Sequence, residues 1–271
     1  MEVEFWGVRG TAPAPGRDYL KYGGHTPCVS VISSAGEIAI IDAGTGIKKL
    51  GERLMAGPAA AELRLHLFFT HFHLDHVIGL PFFSPLYSAR AAITFISPLS
   101  PPETERYLSG LMGGRYFPVA FKETASAKVF KRIGDEAMAI GSLRVRSSPL
   151  HHPQGSVAYR IEEGGTSLVM ATDTEPPDEQ PDERLASFAS QAGVFVCDAT
   201  FTPDEYLRRQ GWGHSSWLEG TRLARQAKVG RLILSHLNPD HSDRQVDEMA
   251  RLARREFRRT SAAREGLRLK I

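Results

Sequence analysis

The sequence predicts a mixed α/β fold in which β-sheets are covered by α-helices. Short runs rich in β-forming residues recur along the whole chain, and stretches with apolar residues about every 3.6 positions lie between them. Strands interspersed with helices throughout a chain are typical of layered folds. The composition, 42% hydrophobic and 24% charged, is that of an ordinary globular protein rather than a disordered, fibrous or membrane one.

Ten short runs are predicted to be strands, because each is apolar and rich in β-forming residues over a strand-like length. Five lie in the first half of the chain: Val3–Phe5, Pro27–Ile32, Glu37–Ile41, Leu63–Phe69 and Ala92–Ile96. Five lie in the second half: Ser142–Ser147, Val157–Ile161, Ser167–Ala171, Val194–Cys197 and Arg231–Leu234.

Six stretches are predicted to be helices, because their apolar spacing is nearer 3.6 than 2. They are Gly44–Met55, Glu103–Met112, Pro181–Gln191, Pro203–Gln210, Ser215–Lys228 and Asp243–Arg258. In the fifth of these, Ser216-Trp217-Leu218-Glu219 fits a capping box. That motif would place residue 214 in a turn immediately before the helix.

Length and charge limit the number of domains and the class of partner. A chain of 271 residues is compatible with one large layered domain or with two small ones. The 33 Lys and Arg against 31 Asp and Glu leave a formal charge of +2, too balanced to indicate nucleic acid or an anionic membrane as the main partner. The N-terminus lacks a secretion signal and no apolar run could span a membrane, so we expect a cytoplasmic protein with no membrane partner.

The strongest chemical signal is a cluster of histidines directly after a predicted buried strand. His71, His73, Asp75 and His76 place four metal-ligating side chains within six residues. In an extended loop His71 and His73 would point to one side, while Asp75 and His76 at a following turn could face a second position. One segment could therefore contribute to two metal sites. A polar surface loop is the alternative, which the flanking phenylalanines disfavour.

Two zinc ions need more ligands than this loop supplies, since each ion takes about four. Three downstream places lie next to predicted strands: residues 149–153 with two histidines, 170–174 with an aspartate, and 232–236 with a histidine. Each of them alone is as readily explained by a core or loop residue. Together with the first cluster they indicate a metal centre.

This arrangement, His71-x-His73-x-Asp75-His76 followed by a His, an Asp and a His, resembles the metallo-β-lactamase superfamily. The resemblance implies an αββα sandwich with a binuclear metal site along one edge. It runs from Phe5-Trp6-Gly7 through Asp42-Ala43-Gly44-Thr45-Gly46 to His236. The phosphodiesterase branch that includes tRNase Z is the most similar, through three further stretches: His152 seven residues before Tyr159-Arg160-Ile161, Asp198-Ala199-Thr200-Phe201, and Gly213-His214-Ser215-Ser216.

The resemblance also implies a role for each residue of the site. His71, His73 and His152 would hold one metal; Asp75, His76 and His236 the other; and Asp173 would bridge them. The spacing to Tyr159 favours His152 over His151 as the ligand. In relatives, the aspartate at the position of Asp42 does not touch the metals. It hydrogen-bonds the metal loop, here residues 71–76, from the side away from them. Ligands drawn from residues 71 through 236 can meet only if residues 1–271 fold as a single domain.

The chemistry expected of such a site is phosphodiester hydrolysis. Two divalent ions, zinc by preference and manganese or iron as alternatives, would lower the pKa of a shared water and provide a metal-bridging hydroxide next to Asp75. His214 is the candidate proton donor to the leaving alkoxide, and Asp198 could orient its imidazole. The alternative is that His214 and Asp198 form a purely structural pair.

Two departures from tRNase Z change the expected substrate. Only 12 residues separate Arg160 from Asp173, which leaves no room for the tRNA-binding arm, and Asp198 stands where the tRNase Z pair usually has Glu. We therefore expect a phosphodiesterase for a small or cyclic nucleotide-type substrate, acting as a homodimer like its compact relatives. The alternatives are a tRNase Z-like ribonuclease that binds long nucleic acid, a thioester or lactone hydrolase, and a non-catalytic binding scaffold.

Other parts of the chain have no assigned role at this point. Residues 244–271 carry nine Lys or Arg against four Asp or Glu, which indicates either a nucleic-acid patch or, more plainly, the solvated face of a packed helix. Arg9, Tyr22 and His25 are candidates for lining a substrate pocket. His241 is expected to be a loop residue near the site rather than a ligand.

Overall fold

The computed structural model describes residues 1–57, 62–177 and 182–271. Its first sheet has seven strands: β1 (Glu2–Gly7), β2 (Cys28–Ile32), β3 (Ile38–Ile41), β4 (Leu63–Phe68), β5 (Ala91–Ser97), β6 (Ala127–Arg132) and β14 (Arg268–Lys270). Their spatial order is β14-β1-β2-β3-β4-β5-β6. Strands β3 to β6 run parallel to one another, and the other pairs are antiparallel.

The second sheet also has seven strands: β7 (Met138–Ile140), β8 (Leu143–Leu150), β9 (Ser156–Glu163), β10 (Thr166–Ala171), β11 (Val194–Asp198), β12 (Leu232–Ser235) and β13 (Thr260–Ala262). Their order is β13-β12-β11-β10-β9-β8-β7. Strands β10 to β13 are parallel, whereas β7 to β10 form an antiparallel meander. Each sheet therefore has one run of four parallel strands.

Within the described ranges, seven α-helices connect or cover the strands: α1 (Ile47–Ala56), α2 (Leu74–Val77), α3 (Pro101–Leu111), α4 (Glu183–Phe188), α5 (Pro203–Leu207), α6 (Trp217–Gln226) and α7 (Asp243–Glu256). The Ser216 side chain caps α6 by accepting from the Glu219 backbone N–H at 3.3 Å. The second half of the predicted capping box is not formed, because the Glu219 side chain pairs with Arg222 instead. No helix in the described part of the chain is long and apolar enough to cross a membrane.

Two apolar cores hold the layers together. One core joins the facing sides of the two sheets and continues to helices α4, α6 and α7 on the outer side of the second sheet. The other lies between the first sheet and helices α1 and α3. Strand β4 shows the alternation that builds this arrangement, since Leu65 and Leu67 face the outer core and Phe68 the core between the sheets. The predicted αββα sandwich is confirmed.

All ten predicted strands are present, but four strands are missing from the prediction: β6, β7, β13 and β14. These are the four edge strands of the two sheets. Edge strands are commonly short and charged, which weakens the pattern of alternating apolar residues. Three of the four have only three residues, and β6 is Ala-Lys-Val-Phe-Lys-Arg. The start of the helix predicted at Pro181 lies outside the described residues.

The polar residues singled out in the sequence follow parallel strands. Asp42 follows β3 and the His71–His76 segment follows β4, both in the first sheet. In the second sheet, Asp173 follows β10, Asp198 ends β11 and His236 follows β12. The carboxyl ends of parallel strands lie at the same edge of a sheet, so the fold brings these residues to one edge of the sandwich.

Candidate metal centre

The segment after β4 forms one wall of the centre. His71, Asp75 and His76 are buried, and helix α2 begins immediately after His73. The Asp75 carboxylate accepts a hydrogen bond from the Thr11 backbone N–H at 2.8 Å, which attaches this wall to the N-terminal loop. Asp75 and His76 lie on this short helix, whereas His71 and His73 precede it, and the His71 ring lies between those of His73 and His76, with centroids 4.4 Å and 4.3 Å away.

Asp42 supports this segment from behind. Its Oδ1 accepts from the Thr70 backbone N–H at 2.8 Å, and its Oδ2 accepts from His76 Nδ1 at 2.8 Å. Asp42 itself has a left-handed backbone conformation, with φ at 61°, which is costly for a non-glycine residue. The predicted hydrogen bond from Asp42 to the metal loop is confirmed.

The first group of donor atoms consists of His71, His73 and His152, which each offer one nitrogen within 4.8 Å of the others. His73 Nε2 donates to the Gln154 side-chain oxygen at 2.9 Å, and His152 Nδ1 donates to the Gly213 carbonyl at 2.8 Å. The opposite nitrogens, His73 Nδ1 and His152 Nε2, then face each other at 3.1 Å. Neither carries a proton in these tautomers, so a cation between them is the natural partner.

The second group consists of Asp75, His76 and His236, again within 4.8 Å of one another. Thr200 Oγ1 donates to the His236 carbonyl at 2.8 Å and accepts from His236 Nδ1 at 3.0 Å. Asp42 likewise binds His76 Nδ1. The other ring nitrogens, His76 Nε2 and His236 Nε2, face each other at 3.3 Å. Asp75 Oδ2 lies 3.3 Å from His76 Nε2 and 3.4 Å from His236 Nε2.

Asp173 lies between the two groups. Its Oδ2 is 3.1 Å from His76 Nε2, and its Oδ1 is 3.2 Å from His236 Nε2 and 3.8 Å from His71 Nε2. His152 Nε2 is 4.0 Å from the same Oδ1. Asp173 and His236 both have φ at 56°, so two side chains of the second sheet reach the centre from left-handed backbone conformations.

The donor set fits divalent metal ions. Five imidazoles and two carboxylates converge, and each imidazole has its outer nitrogen engaged by the protein, the usual support for metal-ligating histidines. The Nε2 atom of His71 is buried with no hydrogen-bond partner among the described residues, although a buried polar atom normally has one. A metal ion at this place would satisfy it.

The electrostatics also favour positive charge at the centre. Burial alone would lower the pKa of His236, but Asp173, Asp75 and Asp198 outweigh burial and raise it to about 9. The pKa of His76 is raised well above its ordinary value in the same way. His71 behaves differently, because burial and the neighbouring His76 lower its pKa to about 2. His71 is therefore held neutral, the form in which imidazole binds a metal.

His214 and Asp198 lie beside the second group. His214 Nδ1 is 3.2 Å from Asp198 Oδ2, and the His214 ring stacks on His236 at 5.0 Å between centroids. Asp198 is fully buried and accepts backbone N–H groups from Asp173, Thr200 and Ser215. The structure thus brings the predicted pair together next to the donor groups.

Several other predicted residues lie elsewhere. His151 is about half exposed and lies 3.9 Å from Asp182, away from the donor groups. Arg9 is fully buried and donates to the carbonyls of Gly23, Asn238 and His241, so it does not line a pocket. The Tyr22 hydroxyl donates to Asp247, and His25 contacts Thr45. His241 is a loop residue that contacts Glu205 at 3.0 Å.

Five contributors to the centre have no role predicted from the sequence: Thr11, Thr70, Gln154, Thr200 and Gly213. Thr200 belongs to the Asp198-Ala199-Thr200-Phe201 motif, but only its distance to His236 shows what it does. Gly213 has φ at 80°, and a Cβ at this position would lie 2.3 Å from His152 Nδ1. A glycine directly before His214 is the one signal that could have indicated such a close approach.

Comparisons with known proteins agree with this geometry. A family profile described as "Beta-lactamase superfamily domain" matches residues 39–237. Ribonuclease Z of Thermoplasma acidophilum is 24% identical over 307 aligned residues, covering 96% of this chain and 93% of that protein. The metallo-beta-lactamase fold protein YhfI from Bacillus subtilis has a TM-score of 0.73 at 20% identity, with 99% of both chains covered. A diphosphatase from the PhnP family has a TM-score of 0.71 at 17% identity, with 100% of this chain and 97% of that one covered.

The matched residues contain the whole set of donor side chains, from His71 to His236. They also make up well over half of the chain. The solved structures establish the fold, and the curated relative extends the likeness over nearly the full length. The chain therefore belongs to the beta-lactamase superfamily, is similar to the tRNase Z-like branch, and is a metal-dependent hydrolase.

Proposed function

We propose that this protein is a binuclear metal-dependent phosphodiesterase for a small or cyclic nucleotide-type substrate. The observation that carries the proposal is the convergence of imidazole nitrogens and carboxylate oxygens in two donor groups, with Asp173 between the groups. Two separate cations account for both groups. The proposed roles are catalytic for Asp75, His214 and Asp198, and metal-ligating for the histidines and aspartates of the two groups: His71, His73, His152, Asp75, His76, His236 and Asp173.

Divalent ions bound there would activate a water molecule and stabilise the negative charge that develops on the phosphodiester. Zinc is our first choice, because imidazole and carboxylate ligands suit it, and manganese or iron are the alternatives. The protein holds these groups ready through Asp42, Thr70, Gln154, Thr200 and the Gly213 carbonyl. Each of these fixes the tautomer of one histidine.

His214 is proposed as the proton donor to the leaving alkoxide. Its Nδ1 faces Asp198, so its Nε2 is the atom that would deliver the proton. Its side chain is 14% exposed, whereas that of Asp198 is fully buried. This arrangement suits a histidine that contacts a substrate and a carboxylate that only orients it. Asp198 also binds the Asp173 backbone N–H, which couples the proton donor to the central carboxylate.

The preference for a small substrate is supported by the second sheet. Strands β9 and β10 are joined by a turn of only two residues, Gly164 and Gly165. This is the place where the resemblance to tRNase Z would put an RNA-binding arm. The net charge of +2 also supplies little general attraction for a long polyanion.

Ribonuclease activity is the second candidate, because curated relatives that match nearly the whole chain are named ribonuclease Z. A panel of 2′,3′- and 3′,5′-cyclic nucleotides, dinucleotides, pre-tRNA, thioesters and lactones, assayed with Zn²⁺ and Mn²⁺, separates the two. We expect the highest kcat/KM on a cyclic nucleotide or dinucleotide. Preferred cleavage of pre-tRNA would assign the ribonuclease activity instead, and turnover of only thioesters or lactones would contradict both.

The homodimer and the cytoplasmic location remain predictions. Analytical ultracentrifugation of the metal-loaded protein at micromolar concentration tests the first, and we expect a mass of about twice the 29.9 kDa of one chain. Fractionation of cells that express the native protein tests the second. A monomer in the first experiment would contradict the predicted homodimer and would leave the proposed chemistry unaffected.

A further inference from the structure

A cluster of basic residues, separate from the two donor groups, lies at the edge of the second sheet opposite the metal centre. The turn before β12 supplies Lys228 and Arg231, and the turn before β13 supplies Arg258 and Arg259. All four side chains are exposed. They line two adjoining cavities that share Gly230 and Arg259, with volumes of about 630 Å³ and 660 Å³. We call this feature the distal basic cavity.

None of these four cations forms an ion pair with any described residue. Elsewhere in the described chain many arginines do so, including Arg53 with Glu4 and Arg160 with Glu162. The residues lining the distal basic cavity include no Asp or Glu. A fifth lining cation, Lys270, stands opposite the acidic residue Glu2 in the strand register.

Two glycines, Gly193 and Gly230, line the distal basic cavity. A Cβ on Gly230 would lie 2.6 Å from the Gly193 carbonyl oxygen, so the two backbones can approach this closely only with glycine at position 230. The Gly230 N–H donates to the Ala192 carbonyl at 2.7 Å, which fixes the turn that carries Arg231. The cations therefore surround a recess with a defined base.

We propose that the distal basic cavity binds a phosphate-bearing anion. Three arginines favour a ligand with several oxygens, because the planar guanidinium binds phosphate through two parallel hydrogen bonds. Four unpaired cations also match a ligand with more than one negative charge. The volume of each cavity lies in the range of small-ligand sites. The ligand is either a nucleotide or the backbone phosphates of a nucleic acid strand.

The distal basic cavity is separate from the metal centre but lies on the same strands. Strand β11 begins at Val194, which lines the cavity, and ends at Asp198 beside His214. Five residues of strand span about 13 Å from first to last. A single phosphate bound at the cavity therefore cannot also contact the metal centre, and the substituted side chains at the cavity are not among the donor groups.

A charge-reversal experiment tests the proposal independently of the proposed function. The variant Arg231→Glu/Arg259→Glu is compared with Arg90→Glu/Lys122→Glu, a control with the same charge change at exposed residues away from both sites. Binding of a fluorescent 2′-O-methyl oligoribonucleotide, AMP and inorganic phosphate to the metal-loaded protein is measured between 50 and 200 mM salt. Hydrolysis of bis(p-nitrophenyl) phosphate reports on the metal centre.

We expect the cavity variant to bind at least one of the phosphate probes about tenfold more weakly than the control variant does. If the ligand is a nucleic acid strand, only the oligoribonucleotide responds, and the slope of log K against log salt falls by about 1.4 for two lost contacts. If the ligand is a nucleotide, AMP responds as well. Hydrolysis of the chromogenic ester stays unchanged in both variants.

Equal affinities of the two variants for all three probes would overturn the proposal. So would a poly-glutamate peptide that binds the native protein more tightly than every phosphate probe and loses this binding in the cavity variant. That second outcome would make the ligand an acidic protein segment. Circular dichroism spectra of both variants verify that they fold.

Discussion

The two sheets contribute to the metal centre in different ways. The first sheet supplies His71, His73, Asp75 and His76 from one loop after β4. The second sheet supplies single residues after several strands: His152, Asp173 and His236. A contiguous group is recognisable in the sequence, whereas the scattered residues become a site only when the strands pack. The second sheet therefore links the chemistry to the correct folding of the whole sandwich.

The difference extends to the backbone. The loop of the first sheet is held from behind by Asp42, which binds both Thr70 and His76. In the second sheet, the left-handed residues are two of the donor residues themselves, Asp173 and His236, whereas in the first sheet the left-handed residue is the supporting Asp42. The contributions of the two sheets meet at Asp173. We therefore expect substitution of Asp173 to reduce activity more than substitution at any other position considered below.

We expect the largest effect from Asp173→Ala. Loss of the carboxylate between the two donor groups should reduce hydrolysis of bis(p-nitrophenyl) phosphate by roughly 10⁴-fold, the scale seen when a central catalytic group is removed. Metal content by mass spectrometry should fall as well. Asp240→Ala, at an exposed aspartate four residues after His236, is the control and should keep both properties. A fully active Asp173→Ala protein would show that hydrolysis does not need a carboxylate shared by the two donor groups.

His214→Ala should have the next largest effect, and only on some substrates. A phosphodiester with an alkyl leaving group needs a proton donor, so its hydrolysis should slow by about 10²- to 10⁴-fold. Bis(p-nitrophenyl) phosphate has a good leaving group and should be affected far less. Metal content should not change. Equal losses on both substrates would show that His214 is not the proton donor, and Asp198→Asn should follow the same substrate pattern.

Two residues that support metal-ligating histidines, the buried Asp42 and the exposed Gln154, can be compared by the metal affinity that remains after each is replaced. Asp42→Ala removes the hydrogen bonds to His76 and Thr70 and should weaken metal binding about 10- to 100-fold. Gln154→Ala removes only the bond to His73 at an exposed position and should have a smaller effect. Competition with a chromogenic chelator measures both affinities. The reverse order would contradict the assignment of the first sheet's loop as a preorganised unit.

The smallest effect is expected at the edge opposite the metal centre. Glu163 on β9 binds Ser142, Ser34 and the N-terminal amine, and these hydrogen bonds lower its pKa to about 2. A carboxylate with a depressed folded-state pKa stabilises the fold above its unfolded value near 4.5, and this contribution is lost as pH falls towards 2.

Glu163→Gln should therefore lower the urea midpoint at pH 6 but not at pH 2. Glu136→Gln, at an exposed glutamate, is the control and should shift neither midpoint. Metal content and activity should be unchanged in both variants, because this edge does not contact the centre. A difference between Glu163→Gln and the native protein that persists at pH 2 would contradict the assignment.

The sequence predicts the layers and the central strands because apolar alternation is strong where a strand is covered on both sides. It does not predict β6, β7, β13 and β14, since the edge strands are short or charged. It also leads to the residues of both donor groups through their positions after strands. The roles of Thr200, Gln154 and Gly213 depend on distances of about 3 Å between side chains and backbone, which a pattern of residue types does not contain.

Metal analysis of the purified protein, together with its activity before and after chelation, tests the central claim most directly. Two donor groups that share Asp173 predict close to two divalent ions per chain. Activity should disappear when the ions are removed and return when Zn²⁺ or Mn²⁺ is added back. A metal-free preparation that hydrolyses phosphodiesters at the full rate would contradict the account.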